Sequence, residues 1–516
     1  MTISQTNKRY MILFLIYCIT NILNFLNYDG IYWDDYSLIG HDYSFIHNIF
    51  NQATGGLDFI SPIHGILLYF DNSIVIYRFI TYFSYFFTGI LIFKILQSLD
   101  KLRDEDIFCI VLLYLVIPLN SAKIALINLP SNFYLLLFFI AFFLFVKYIQ
   151  NSQNIFKRIL IYILFFLSFS VNSLLVFYGL VLLYALQYEF SKENFKIKSF
   201  LFKYIDFILL PIIYWLIKIN YFPPYGAYEN YNSIHFDLIK LFDLFHRSIY
   251  SSFYEPAEIA LLYSYKHLYF FTIVLLGLLY IFRNLQISKK ISYTFIFIGI
   301  SGFLFAVFPY IMVGKLPRVY DWDSRHQLLM PLGISILVYT SVQLMRKINN
   351  MFGKILLLSI ISVFIMQSFY TSYRYNQDIF YQYAIENHLK KSELVKTHTT
   401  FLTDRKIMSC FSNYRTVRDY EYNGFLKNVF KNEKRAMFSK LDTLNYYKNA
   451  QKNPINAEDW VYKKPVVFVD IDKNKKFELN YKTIVQLFYY KFFNKEKFDL
   501  LIEQLITLKA HIINEK

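Results

Sequence analysis

The chain is poor in cysteine and in charged residues, and both shortages limit what it can be. It has three cysteines among 516 residues, which excludes a disulfide framework. Only 17% of the residues are charged, whereas 56% are hydrophobic and 21% aromatic, and the mean hydropathy is +0.33. A soluble protein could not bury that much apolar surface, so most of the chain is predicted to lie in lipid.

The sequence also lacks the short motifs of several enzyme classes. It has no phosphate-binding glycine-rich loop, no Gly-x-Ser-x-Gly elbow and no His-Glu-x-x-His motif, and its histidines show no metal-ligand spacing. The formal net charge of +16 would suggest nucleic acid in a soluble protein. Here the basic residues lie in short segments between apolar runs, which indicates membrane topology instead. No nucleic-acid partner is therefore expected.

The apolar runs predict an all-α polytopic membrane protein. They give about eleven transmembrane helices, and two ambiguous stretches at 159–188 and 257–282 leave this count open by one or two. Lys8 and Arg9 precede the first run, which places the amino terminus in the cytoplasm. The predicted location is the cytoplasmic (inner) membrane, with residues 1–370 as the transmembrane module.

Residues 371–516 differ in kind from the rest of the chain. Charges are spread through them, and no apolar run is long enough to span a bilayer. Pro465–Asp470 has the composition of a buried strand, and Tyr481–Ile506 that of a helical segment. We therefore expect a separate extracytoplasmic domain of α/β or α+β type.

An acidic pair, Asp34 and Asp35, follows the first apolar run. The predicted outer segment 29–61 that contains it has no lysine or arginine. Placing a carboxylate beside a membrane span costs free energy, so carboxylates found there are candidates for function. Such a pair can hold a divalent cation, or one member can act as a base. The alternative is an aromatic belt around Trp33 whose neighbouring acids only face water.

Basic residues are predicted at the outer ends of later spans. They are Lys315, Arg318, Arg325, His326 and, at the start of the second span, Arg78. Arginine binds phosphate with a planar fork and lysine with a point charge, so this set predicts a seat for a lipid-linked phosphate. The alternative is anchoring to lipid headgroups. Three bases in one outer loop oppose the positive-inside bias, which favours a functional role.

This layout resembles the GT-C superfamily of integral-membrane glycosyltransferases. Members have an acidic pair in the first outer loop, many spans and often an extracytoplasmic carboxyl-terminal domain. Asp34 and Asp35 stand at the matching acidic positions, and the resemblance implies that one of them is the catalytic base. The segment Asp323–His326, which precedes a span containing Pro331, is similar to a late basic loop of bacterial members. Arg78 resembles the arginine that often opens the second span.

The resemblance implies a function and its partners. A sugar would pass from a polyprenyl-phosphate-linked donor to a cell-surface glycan or lipid-linked acceptor, on the outer face of the membrane. The basic residues would contact the donor phosphate, and membrane lipid would surround the spans. A divalent cation at Asp34 and Asp35 stays open, because a second acidic motif of some members has no clear counterpart.

Two other classes of protein share some of these features. A lipid-linked polysaccharide polymerase or ligase also has many spans and an outer loop with arginine and histidine, but it would not need the early acidic pair. A lipid-linked oligosaccharide transporter should show two related halves and helices broken at mid-membrane. The sequence has no such symmetry, so the transferase is the leading hypothesis.

Overall fold

A computed structural model gives the structure of the chain. It describes residues 5–513, apart from 100–101, 152–153, 193–194, 235, 287, 289–291, 347–348, 413–414 and 451. The described residues are mostly helical, 72% of them in helices, and they form one small sheet near the carboxyl end.

The helices follow one another with short connections. They are α1 Gln5–Thr20, α2 Ile22–Leu26, α3 Tyr43–Thr54, α4 Ser61–Leu68, α5 Ser73–Gln97, α6 Asp104–Val116, α7 Leu129–Asn151, α8 Ile155–Ser168, α9 Ser173–Phe177, α10 Gly179–Phe190, α11 Ile197–Tyr221, α12 Leu238–Ile249, α13 Glu255–Lys266, α14 Leu268–Ile281, α15 Tyr293–Ile311, α16 Met330–Arg346, α17 Asn350–Lys391, α18 Glu393–Thr397, α19 Asp419–Phe430, α20 Leu441–Ala450, α21 Tyr481–Phe493 and α22 Lys495–Glu503. The strands are β1 Thr400–Thr403, β2 Ala436–Phe438, β3 Val466–Lys473 and β4 Ile506–Ile513.

Contacts divide the chain into two compact units, which are described separately. The first unit contains the chain up to residue 22 together with 42–124 and 128–370. The second unit contains 23–41, 125–127 and 371–516. The stretch that carries the acidic pair therefore folds with the carboxyl-terminal segment.

Several helices are long and apolar enough to cross a membrane, as the composition predicts. Among the described residues they are Ser73–Gln97, Leu126–Gln150, Ser173–Phe190, Ile197–Tyr221, Tyr293–Ile311 and Met351–Lys391. A seventh span results if Leu238–Lys266 and Leu268–Ile281, which are bent by 106°, count as one. This indicates a membrane protein with several helical spans, while the number of eleven stays a prediction.

The helix boundaries follow local chemistry. α6 begins with Asp104, Glu105 and Asp106 in its first turn, where acidic residues favour the positive end of the helix dipole. It ends at Val116, because proline at position 118 disfavours helix in the residue before it. The stretch 257–282, predicted as one span, is interrupted at His267, which lies between α13 and α14.

Long helix α17 continues past residue 370, the predicted end of the transmembrane module. It continues to Lys391, and its sequence has neither proline nor glycine after Gly353. A change from apolar to polar residues does not stop a helix when no residue breaks it. Residues 350–370 of α17 belong to the first unit and 371–391 to the second.

The second unit contains a four-stranded sheet in the order β2-β1-β3-β4. β1 pairs in parallel with β2 and β3, whereas β4 is antiparallel to β3. The predicted buried strand is confirmed as β3, in which buried residues alternate with partly exposed ones along its second half. The predicted helical segment is α21 and α22, but its last residue, Ile506, already opens β4. One core cluster of this unit consists of Ala436, Phe438, Leu444, Ala457, Trp460 and Val466.

Candidate functional site

The acidic pair lies in a short 3-10 helix, Trp33–Ser37, of the second unit. Trp33 has a backbone φ of +46°, a region that bulky residues rarely adopt. Its indole is buried and packs edge-on against Tyr375, with 5.7 Å between ring centroids. Strained backbone persists where the surrounding contacts fix it, and it is often found at functional sites.

Asp35 is held by backbone amides. Its side chain is fully buried, and both of its oxygens accept backbone hydrogen bonds. Oδ2 accepts from the amide of Tyr32 at 3.0 Å, and Oδ1 accepts from the amide of Ile127 at 3.0 Å. A carboxylate held in this way shapes the loop and has little freedom to meet a substrate.

Asp34, its neighbour, is only partly buried. Its Oδ1 accepts a hydrogen bond of 2.6 Å from the hydroxyl of Tyr420, which lies in α19. Burial, together with the Asp34 charge, raises the pKa of Tyr420 above its usual range, so the phenol stays a donor. The two acids therefore differ in their surroundings, and Asp34 is the one that solvent can reach.

A buried ion pair supports the segment Trp33–Ser37, called the acidic loop from here on. Arg415 pairs with Glu421, and both side chains are fully buried. Glu421 Oε2 also accepts a hydrogen bond from the amide of Trp33 at 3.1 Å. The Arg415 guanidinium lies over the rings of Tyr32 and Trp33, 5.3 and 5.7 Å from their centroids. Burial raises the pKa of Glu421, while the charge of Arg415 opposes this shift.

Helix α19 also lies close to the loop at Gly424. A Cβ atom there would meet the Tyr36 ring at 2.2 Å, so only glycine leaves room for this side chain. Tyr36 packs edge-on against Phe425 as well, with 5.7 Å between centroids. Glycine is unfavourable inside a helix, and this close approach accounts for its presence.

We expect Tyr420→Phe to lower kcat of the candidate reaction by about tenfold, because a hydrogen bond to a charged group contributes about 1.5–3 kcal/mol. The KM for the substrate that does not meet Asp34 should not change. Steady-state kinetics measure kcat and KM separately. Tyr422→Phe is the matched control, since the Tyr422 hydroxyl in the same helix contacts Met408 and not the acidic loop. Equal kcat for Tyr420→Phe and wild type would contradict a positioning role.

The basic candidates belong to the first unit, where Tyr231 joins two of them. Arg325 Nη2 donates to the Tyr231 hydroxyl at 2.8 Å, and Lys315 Nζ lies 3.7 Å from the centroid of the same ring. Lys315 also donates to Asn232 Oδ1 at 2.5 Å, and Arg325 stacks over Trp322 at 4.1 Å. Two cations thus contact the same tyrosine, Lys315 at its ring and Arg325 at its hydroxyl.

The turn that presents Arg325 is fixed by its neighbour Ser324. The buried Ser324 hydroxyl accepts from the amide of Ala122 at 2.8 Å and donates to the carbonyl of Asp321 at 2.8 Å. Ser121 Oγ lies 3.0 Å from Ser324 Oγ and donates to the carbonyl of Val319. These contacts hold the loop 315–326, called the basic loop from here on, against the segment 121–124. They fix the backbone from which the Arg325 side chain extends.

The other two basic candidates of this loop have different surroundings. His326 is buried, and burial with the charges of Arg325 and Lys315 lowers its pKa to about 3. Its ring is therefore neutral at physiological pH and cannot contribute a positive charge to a phosphate site. Arg318 is exposed, and its Nε lies 3.9 Å from Asp323 Oδ2. A weak pair of this kind leaves the Arg318 guanidinium able to bind an anion.

Arg78, also expected to bind phosphate, is buried and holds a loop. Its Nη1 donates to the carbonyl of Ile124 at 2.9 Å. The neighbouring Lys123 lies over the rings of Tyr85 and Tyr82, 4.7 and 5.7 Å from their centroids. Burial lowers the pKa of Lys123 to about 8. Arg78 thus supports the loop that carries Lys123.

A narrow apolar cleft lies among α5, α7, α10, α15 and α16 of the first unit. Its lining includes Ile95, Phe139, Leu183 and Ile336. A cleft of this composition suits a hydrocarbon chain and offers almost nothing to a polar ligand.

Sequence reasoning found the two charged sets but missed the residues that order them. Tyr420, Glu421 and Arg415 carry no motif, and the hydrogen bond from Tyr420 to Asp34 joins positions 386 apart in the chain. Tyr231 gives no local signal either. A scan against protein-family models and searches of curated proteins and solved structures gave no match to this chain. What it does must therefore be inferred from its own residues.

Proposed function

We propose that this protein is a membrane glycosyltransferase of the cytoplasmic membrane. It moves a sugar from a polyprenyl-phosphate-linked donor to a cell-surface glycan or glycolipid on the outer face. The observation that carries this proposal is the unequal acidic pair: Asp35 is locked into the loop, whereas the partly exposed Asp34 is held in place by Tyr420. An oriented carboxylate next to a membrane is the kind of group that a base needs.

In the proposed reaction Asp34 takes the proton of an acceptor hydroxyl. The hydroxyl oxygen forms a bond to the anomeric carbon, and the bond from that carbon to the phosphate oxygen breaks. The electron pair leaves with the phosphate, and an in-line displacement inverts the anomeric centre. Tyr420 occupies Oδ1 of Asp34, which leaves Oδ2 to accept the proton.

The donor phosphate is proposed to bind Arg325 and Lys315, with Arg318 in reach of the same loop. Arg325 offers a planar fork and Lys315 a point charge, and both stabilise the negative charge that grows on the leaving phosphate. Tyr231 orients the two cations. The apolar cleft of the first unit suits the isoprenoid chain. His326 and Arg78, which are also predicted to contact the phosphate, are buried beside these segments.

The fall of kcat/KM at alkaline pH should reflect deprotonation of Lys315. Burial and the nearby Arg325 lower the pKa of Lys315 to about 8, so the ammonium is present below this pH and is lost above it. We expect kcat/KM for the donor to fall above about pH 8, and Lys315→Arg to remove this fall because arginine stays charged. Lys240→Arg is the control, since Lys240 is exposed. An unchanged fall in Lys315→Arg would count against Lys315 as a phosphate ligand.

The proposal is tested with the full chain in lipid nanodiscs. A polyprenyl-phosphate sugar labelled in the sugar is supplied with an acceptor glycolipid, and the transferred label and its anomeric configuration are measured. Label in the acceptor with inverted configuration is expected. No transfer from any polyprenyl-phosphate or polyprenyl-diphosphate sugar would reject the proposal.

A further inference from the structure

A second polar cluster lies in the second unit, next to the backbone of Tyr420. His41 Nε2 lies 2.8 Å from Asn456 Oδ1 and 3.0 Å from Lys427 Nζ. Lys427 forms an ion pair with Glu433, whose Oε1 lies 4.0 Å from His41 Nδ1. Glu458 contacts the Glu433 carboxylate and accepts from the amide of Asn456 at 3.0 Å.

This cluster has more hydrogen-bond acceptors than donors. Asn456 donates its Nδ2 to the carbonyl of Tyr420, so its Oδ1 faces His41. An ammonium only donates, so the His41 nitrogen that meets Lys427 offers its lone pair.

The carboxylates add to this excess. Oε2 of Glu458 is buried and accepts no hydrogen bond. Lys427 pairs with Glu433, and the Glu433 carboxyl also contacts that of Glu458. Buried acceptors without donors are costly, and a cation satisfies several at once.

We propose that His41, Glu433 and Glu458 bind a divalent metal ion of the zinc class. One ligand atom from each residue lies within 4.8 Å of the other two. Zinc ligands lie about 2.0–2.2 Å from the metal, so closing the site needs side-chain shifts of about 1 Å. One imidazole with two carboxylates favours zinc over magnesium or calcium, which prefer oxygen ligands alone.

The Lys427 ammonium would compete with the metal ion for Glu433 and His41. Its ammonium lies where positive charge is favourable, against Glu433 and His41. Its side chain is 12% exposed, so it can turn towards solvent when a divalent ion enters. The metal would tie His41, at the end of the segment 23–41, to the carboxyl-terminal segment. This inference does not rest on the proposed function.

The test uses the purified full chain in detergent, with an affinity tag that contains no histidine. The protein is stripped with a chelator and titrated with zinc chloride, and bound zinc and the melting temperature are measured. About one zinc per chain should bind to wild type and raise the melting temperature. His41→Gln and Glu458→Gln should each weaken binding by at least about tenfold. Lys427→Met should bind zinc about tenfold more tightly, because the competing charge is gone.

The matched control is His47→Gln, since His47 pairs with Asp58 at 3.2 Å in the first unit and should not affect zinc binding. Absence of zinc binding in wild type would overturn the proposal, whether or not the variants fold. So would equal zinc binding by wild type, His41→Gln and Glu458→Gln. A Lys427→Met protein that binds zinc no more tightly than wild type would also overturn it.

Discussion

Asp34→Asn should lower kcat/KM for sugar transfer by about 10²–10⁴-fold, the usual contribution of a general base. The asparagine keeps an oxygen that can accept from Tyr420, so the loop should retain its structure and the melting temperature should change little. Transfer from a labelled polyprenyl-phosphate sugar and thermal unfolding in detergent measure the two effects. A loss of activity without a loss of stability would identify Asp34 as a reacting group.

The matched control is Asp35→Asn. Its amide would place N–H groups against the amide of Tyr32 or of Ile127, which both donate to Asp35. The expected cost is about 1–3 kcal/mol of folding free energy, seen as a lower melting temperature. Full activity of Asp34→Asn would remove the base assignment. If Arg325→Gln were inactive at the same time, the polymerase or ligase hypothesis would gain.

The gross organisation of the chain follows from local composition. Apolar runs predict helices that can span a membrane, and the strand β3 is evident from its run of β-branched residues. Such features depend on neighbouring residues, so they can be inferred without knowing the fold. The end of α17 could not be placed, because a polar sequence without proline or glycine continues a helix as readily as it leaves one.

The difference between the two acids could not be predicted. Asp34 and Asp35 are identical residues side by side, and what separates them is their partners. Asp35 meets the amide of Ile127, 92 positions away, and Asp34 meets Tyr420, 386 positions away. In the same way, Arg78 is predicted to bind phosphate from its type and position, and its burial with a hydrogen bond to the carbonyl of Ile124 could not be inferred from the sequence. Residue type predicts which chemistry is possible, and only packing decides which residue is exposed to perform it.

Arg415→Met should destabilise the second unit by about 3–5 kcal/mol, because it leaves a buried carboxylate without its counter-charge. Glu421 is fully buried and accepts from the amide of Trp33, so its loss of a partner acts directly on the acidic loop. We expect a clear fall in the melting temperature together with a loss of sugar transfer. Thermal unfolding monitored by tryptophan fluorescence is a suitable measurement, since Trp33 lies beside the Arg415 guanidinium.

The double variant Arg415→Met, Glu421→Gln separates the charge from the packing. A neutral amide removes the charge of Glu421, while its oxygen can still accept from Trp33, so stability should recover in part. The buried Asp378 also faces Arg415, and it keeps its two hydrogen bonds from Ser412. Activity should recover with it if the ion pair serves only to hold the loop. Arg418→Met is a matched control, because Arg418 is exposed and its side chain lies outside the buried pair. If Arg415→Met unfolds no earlier than Arg418→Met, the carboxyl-terminal segment does not hold Asp34 through this pair, and Tyr420 alone would have to position the base.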